Sequence, residues 1–439
     1  MKKFIQTIKN IYKIEELRKR IVYTFLLILV YRLGSFIVLP GIDPSVIAEF
    51  SASMSNRTDA LSLLNMFSGG AFGNVSIFAL GVMPYISASI VVQLLGVFVG
   101  KFRKMQAEES GRRKLNQITR LLTIVILCIQ GPAYISNIMH QYPNAFLVSS
   151  KLYILAATVI LLGGSMFVMW LGERITERGI GNGISLIIMI GIIARLPQAF
   201  MAEVLSKAGS TTGGILLLIV EFVILFFVFV AAIALVQAVR KVPVQYANRV
   251  IGNKQYGGVR QYIPLKVNAS GVMPIIFAQA IMLFPIIFSR FDATRGFAAA
   301  MSNYTGLWYN LVFGFLVIVF TYFYTAVTFQ PNMMAEDMKK NGGFIPGVKP
   351  GKKTMEYLDT IMTRIVLPGS IFLAIIAVLP AIATLCGVNN QFASFYGGTS
   401  LLILVGVVLD TLQQVDSHLL MRHYDGLMKT GRLTGRSGM

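Results

Sequence analysis

Apolar residues in this chain come in long unbroken runs, not in the alternating or 3.6-residue patterns of elements that keep one face in water. Ten runs approach the roughly 20 residues a helix needs to cross the hydrocarbon layer of a bilayer. They fall at about 21–40, 75–97, 117–137, 153–172, 183–203, 213–238, 268–289, 307–329, 362–384 and 400–419. The sixth is long enough to tilt, and the ninth contains Pro368 and Pro380. The second has an odd preface. "NMFSGGAFGNVSIFALGVMPYISASIVVQLL" (65–95) opens with a short apolar turn broken by Ser68-Gly69-Gly70 and Gly73-Asn74, and its apolar stretch carries Gly81 and Pro84 near the middle. The preface is too short to cross a bilayer and too apolar to rest in water.

Composition turns the pattern into a class. Of 439 residues, 55% are hydrophobic and 13% charged, against about 25% charged in soluble domains. The expected fold is therefore an all-α polytopic membrane protein. The net charge of +20 has to sit in loops, since a charge at bilayer depth costs about 2.5–3.5 kcal/mol on the lenient insertion scale. Lys and Arg cluster before span 1, after spans 2, 4, 6 and 8, and in the tail, which together hold 32 of the 39. The positive-inside rule makes that face cytoplasmic, with both termini on it. The charged segment 1–20 leads into a full-length span with no small-residue cleavage site, so an uncleaved first helix is expected and not a signal peptide. Cys128 and Cys386 show no metal-ligand spacing, and buried inert thiols are expected.

Ten spans divide into two fives, and an odd five makes the second half run inverted. Gly81-Val82-Met83-Pro84 in span 2 and Gly271-Val272-Met273-Pro274 in span 7 occupy the second place of each half. The repeat reads either as coincidence in an apolar chain or as a matched pair of proline-weakened hinges. Catalytic signatures are absent: there is no GxxxxGK[ST], no HExxH, and no metal or cofactor set, so the chain does not read as an enzyme. "GERITERGIGNGIS" (172–185) is glycine-rich but lies between two spans, which reads as a flexible turn. Arg32, Glu221 and Asp410 are the charged residues that come near mid-span, each with a local pairing or snorkelling as the plain alternative.

Val82 and Ile86, and Ile188 and Ile192, share helical faces at i, i+4. With Ile276 and Ile403 they make a candidate ring of branched aliphatics that resists water and ions yet can spread; packing or lipid contact is the ordinary alternative. Two large basic loops stand apart from simple connectors. Residues 240–266 alternate apolar and polar around Gly252-Asn253, as a projecting hairpin does. Residues 330–354 are punctuated by Gly342-Gly343, Pro346-Gly347 and Pro350-Gly351, as a shaped loop is. Their charge suits a large anionic partner, RNA included, or anionic lipid.

Seven stretches, "NMFSGGAFGNVSIFALGVMPYISASIVVQLL", "ESGRRKLNQITR" (109–120), "MWLGERITERGIGNGIS" (169–185), "IPLKVNASGVMP" (263–274), "YFYTAVTF" (322–329), "FIPGVKPGKKT" (344–354) and "FYGGTSLLI" (395–403), together resemble the SecY/Sec61-alpha family of protein-translocase channel subunits, in order and over nearly the whole chain. The resemblance implies two inverted five-helix halves, 21–203 and 204–419, between a cytoplasmic segment 1–20 and a tail 420–439. It implies cytoplasmic loops at 239–266 and 330–361. It makes the preface a re-entrant plug at about 61–70, with Leu61, Leu64, Phe67, Ser68, Gly69 and Gly70, and the pore ring Val82, Ile86, Ile188, Ile192, Ile276 and Ile403. A lateral gate for signal sequences would open between spans 2–3 and 7–8, lined by Ser87, Gln93, Gln130 and Phe284. Docking of the SecA motor or the ribosome would use Arg249, Lys254, Arg260, Lys349, Lys352 and Lys353. Lys349 stands where the family usually has arginine, which loses the bidentate fork. SecE and SecG small subunits, nascent chains and membrane lipid are the further partners implied, in a bacterial inner membrane. An inverted-repeat carrier of a small solute is the rival reading, and an accessory membrane scaffold a third.

Overall fold

Each of the ten apolar runs carries an α-helix, because a backbone surrounded by hydrocarbon must satisfy its polar groups within itself. The computed structural model describes residues 14–47, 50, 65–147, 151–208, 214–246, 249–251, 254–256, 260–282, 301 and 305–430. In chain order the helices are α1 (Glu15–Gly34), α2 (Met83–Phe98), α3 (Gly100–Ala107), α4 (Glu109–Gln141), α5 (Lys151–Arg178), α6 (Gly183–Ala208), α7 (Gly214–Gln237), α8 (Met273–Met282), α9 (Leu307–Thr328), α10 (Pro331–Lys340), α11 (Lys352–Leu385), α12 (Asn390–Ala393) and α13 (Gly398–Thr430). Among the described residues, seven helices are long and apolar enough to cross a membrane, and α2 and α8 are shorter apolar helices. The chain is a multi-pass, all-α membrane protein. Several helices outrun their apolar stretches: α4 starts at Glu109, α11 at Lys352, and α13 continues to Thr430.

Span 2 is not the continuous helix expected over 75–97. Residues 68–82 run as successive turns and α2 begins only at Met83. Pro84 sits in its first turn, where a missing N–H leaves no helical bond unmade. Gly81 just before it has φ +52°, a region glycine enters freely. The second copy repeats the geometry: Gly271 has φ +63° and Pro274 lies in the first turn of α8. Both tetrapeptides are therefore helix starts, and the mid-helix hinge is corrected.

The 179–182 turn, read as a flexible link, is bonded to two other helices. The N–H of Ile180 donates to Thr24 Oγ1 of α1 at 3.2 Å, and that of Gly181 to Gln414 Oε1 of α13 at 2.9 Å. The hairpin expectation holds. Strands β1 (Val239–Tyr246) and β4 (Arg260–Lys266) pair antiparallel from Val239↔Lys266 to Gln245↔Arg260. The same register continues through β2 (Arg249–Ile251) and β3 (Lys254–Tyr256), so Ile251↔Lys254 leaves Gly252-Asn253 as the connection. The second loop joins it, with β5 (Gly343–Phe344) adding to β1. Val242, Val244, Leu265, Met338, Ile345 and Leu358 close a small core beneath this basic platform. Cys128 on α4 and Cys386 in the turn after α11 are exposed, contrary to the buried thiols expected.

Candidate functional site

The odd preface to span 2 folds into the protein interior. Asn65–Phe67 make one helical turn, closed by Gly69 and Gly70 at φ +64° and +91°. The Gly69 N–H donates to the Met66 carbonyl at 3.0 Å and the Gly70 N–H to that of Asn65 at 2.9 Å. That bonding pair is the Schellman stop, which needs a left-handed residue that glycine adopts without penalty. Ser68 Oγ donates to the Asn65 carbonyl and accepts from the Phe72 N–H, while Asn65 Oδ1 accepts from the Gly73 N–H at 2.8 Å. The broken apolar turn is thus an internally bonded knot of chain.

Three helices hold it. Tyr31 of α1 donates its hydroxyl to the Ser68 carbonyl at 3.2 Å, and Arg32 donates from Nη1 to the Gly69 carbonyl at 3.2 Å. From α6, Gly191 brings backbone against backbone: a Cβ there would stand 3.0 Å from the Phe67 carbonyl oxygen and 3.1 Å from the Gly69 nitrogen. From α13, Ser400 Oγ donates to Met66 Sδ at 3.4 Å. Tyr31, Gly191 and Ser400 are absent from the sequence reading. Arg32 stood out there as a charge inside a span, but its partner is a carbonyl that no pattern marks.

Met66 and Phe67 share one apolar cluster with Val82, Ile188, Ile192 and Ile403, and Ile86 packs against it half-buried. Val82 is the residue capping α2 at its N-terminus, and the Ile86 N–H donates to its carbonyl at 3.1 Å, so the pair stays one turn apart as expected. Ile276 is half-buried on α8 outside that cluster. Beside it lies a cleft of ≈ 930 Å³, open mouth included, lined by Met66, Arg195, Gln279, Tyr309 and Ser400 among others.

Along the expected seam, Ser87 and Gln93 are half-buried, Gln93 donates to Ser89 Oγ at 3.3 Å, and Gln130 is exposed. Phe98 of α2 stacks on Phe323 of α9 with centroids 6.5 Å apart. Phe284, Leu61 and Leu64 lie outside the described residues. Arg249, Lys254 and Arg260 fall on the hairpin strands; Lys349 lies in the loop before α11, its carbonyl accepting from Thr354 Oγ1, and Lys352 and Lys353 open α11. Asp410 is exposed and accepts from Gln414.

Glu221 has a richer setting than the sequence indicated. Lys207 Nζ at the end of α6 lies 2.9 Å from Glu221 Oε1 of α7 and 3.7 Å from Glu203 Oε1, and donates to the Gly387 carbonyl at 3.0 Å. Glu203 Oε2 accepts from the Asn389 N–H at 2.8 Å. Glu203 and Lys207, unremarked in the sequence, sit at and just past the end of span 5.

A family model described as SecY matches residues 76–412. The chain belongs to the SecY family. A "Protein translocase subunit SecY" of Chlamydia trachomatis is 39% identical over 454 residues, covering 98% of this chain and 99% of its own length. Those of Thermotoga maritima and Halalkalibacterium halodurans are 40% and 41% identical, covering 98% and 97% of this chain and 99% and 100% of their own lengths. Among solved structures, one described as a protein conducting channel matches with TM-score 0.58 at 17% identity, over 95% of each chain. Sec61 in a canine ribosome-channel complex matches with TM-score 0.54 at 16% identity, also over 95% of each. Membership in SecY makes the chain a subunit of a protein-conducting channel. Hydropathy alone had left a solute carrier open. A SecY subunit is a conduit and not in itself an enzyme.

Proposed function

We propose that this SecY chain is the central pore subunit of the Sec translocase in a bacterial inner membrane, with both termini cytoplasmic. Unfolded secretory polypeptides pass between two halves, 21–203 and 204–419, through a gasket of Val82, Ile86, Ile188, Ile192, Ile276 and Ile403. Segment 61–70 plugs the resting pore. The observation that carries this reading is the single apolar cluster that unites Met66 and Phe67 with Val82, Ile188, Ile192 and Ile403. Branched side chains in contact exclude water while closed, and they spread around a chain because no hydrogen bonds tie them together.

A sufficiently apolar signal or transmembrane helix leaves sideways past Ser87, Gln93, Gln130 and Phe284, gaining about 25 cal/mol per Å² of apolar surface taken from water. The SecA motor or the ribosome supplies the drive, consistent with the missing nucleotide motif. It docks on the basic platform through Arg249, Lys254, Arg260, Lys349, Lys352 and Lys353. SecE and SecG cover apolar flanks such as that of α7, whose Ile215, Leu216, Phe226 and Phe227 are exposed. The clustering of Lys and Arg at one face supports the orientation.

A photo-reactive residue at Ile188 tests the conduit directly. With ribosomes stalled on a secretory precursor, adducts to the nascent chain are expected, and they vanish when the signal sequence is deleted. A complex that still assembles and binds ribosomes but gives no adduct would move the path away from the ring.

A further inference from the structure

We infer that Tyr31 and Arg32 of α1 form the latch that holds the plug shut, acting as positioning residues on two consecutive backbone carbonyls. The inference rests on the reading of 61–70 as the plug. A Schellman stop satisfies the carbonyls of Asn65 and Met66 and leaves later ones to find partners outside the turn. The Ser68 carbonyl accepts weakly from the Ala71 N–H at 3.3 Å, and Tyr31 supplies the contact from another helix. The Gly69 carbonyl accepts from Arg32. Both donors stand at the end of α1, adjacent in sequence, and reach adjacent acceptors.

The burial of these donors gives the contacts their weight. Tyr31 is 1% exposed and stacks flat on Phe78, centroids 6.2 Å apart, so its hydroxyl has been taken out of water and needs a partner there. Arg32 brings a permanent charge into a span, where arginine faces the protein interior and not lipid. Its guanidinium lies over Phe36 at 5.2 Å and points a donor at the plug. Gly191 adds only bare backbone against residues 67–69 and Ser400 one bond to the Met66 sulfur, so the two bonds from α1 are the hold on the Ser68 and Gly69 carbonyls. Both latch bonds go to main-chain oxygens. They hold the segment by its fold and not by its side chains, and a plug drawn outward loses both together.

The test uses the full SecY complex in planar bilayers and in an export assay with a precursor whose signal sequence is defective. Tyr31→Phe removes one hydroxyl and Arg32→Leu removes the guanidinium at similar bulk. Each is expected to raise resting ion conductance and export of the defective precursor at least about fivefold, the factor one neutral hydrogen bond supplies, and the double variant at least about 25-fold. Arg32→Lys keeps the charge and a donor but loses the planar contact with Phe36, and is expected to leak less than Arg32→Leu. Deletion of 61–70 serves as the reference for a missing plug. If both single variants seal like the parent while the deletion leaks, the latch is wrong and the plug stands. If the deletion itself does not leak, the plug reading falls and the latch with it. Yield and unfolding temperature of each complex separate a leak from a folding failure.

Discussion

Helix α6 meets its neighbours in two ways within five turns. At Gly191 it gives bare backbone to residues 67–69, whose other ties are neutral or charge-assisted hydrogen bonds from Tyr31 and Arg32. At Glu203 and Lys207 it gives buried charges to α7 and to the 387–389 turn. The first kind of contact is the cheaper to leave, because a neutral hydrogen bond nets about 0.5–1.5 kcal/mol and one from a charged group about 1.5–3 kcal/mol. The second is costly, because parting a buried ion from its partner strands a charge, at about 3–5 kcal/mol. One helix thus carries a seam able to open and a joint built to stay closed. The joint links α6 to α7, while the seam lies against the segment proposed as the plug.

Lys207→Met attacks the joint and carries the largest expected effect. Lys207 is 13% exposed and Glu221 5% at the side chain, so its loss leaves two carboxylates buried together. The unfolding free energy of the purified complex is expected to fall by about 3–5 kcal/mol. Adding Glu203→Gln and Glu221→Gln removes the stranded charges and is expected to recover most of that loss. A triple variant as unstable as the single one would show that packing, and not charge, makes the joint.

Gly191→Ala attacks the seam and reverses the balance between stability and sealing. Alanine favours a helix interior over glycine by about 0.8–1.0 kcal/mol, so the complex is expected to unfold no more easily than the parent. The new Cβ meets the Phe67 oxygen and Gly69 nitrogen at 3.0–3.1 Å, and residues 67–69, the proposed plug, have to shift by a few tenths of an ångström. Resting conductance is expected to rise severalfold with stability unchanged. A variant that loses stability instead would place Gly191 with the joint.

Sequence patterns reached the seam unevenly, for physical reasons. The ten helices were legible because hydrophobic length is a property of the chain alone. The hairpin was legible because its period and turn residues are local, and Ile251↔Lys254 bears this out. The start of α2 was misplaced: apolar residues 75–82 read as helix, but Gly81 at φ +52° and Pro84 in the first turn put the boundary at Met83. There the glycine and proline outweighed the hydrophobic run. Tyr31, Gly191 and Lys207 were invisible, since each acts on a residue 37 or more positions away that no local pattern links to it: Ser68, Phe67 and Gly387. Val75 is a further case. It is a fully buried β-branched residue at φ +45°, a conformation its own side chain disfavours, held while its carbonyl accepts from Leu39.

Arg120→Met carries the smallest expected effect and asks whether burial, and not charge, separates joint from seam. Arg120 of α4 reaches Glu173 of α5 through two hydrogen bonds, Nε to Oε1 at 3.1 Å and Nη2 to Oε2 at 2.8 Å. Its geometry is better than that of the Lys207 pair, yet Arg120 and Glu173 are 48% and 25% exposed at the side chain. Water solvates both groups when the pair is broken, so Glu173 is not stranded as Glu221 is. The loss is expected to stay below about 1 kcal/mol in the same unfolding measurement, and to shrink as salt is raised. A loss equal to that of Lys207→Met would mean that pairing alone sets the strength of these contacts, and the division of α6 into a seam and a joint would go with it.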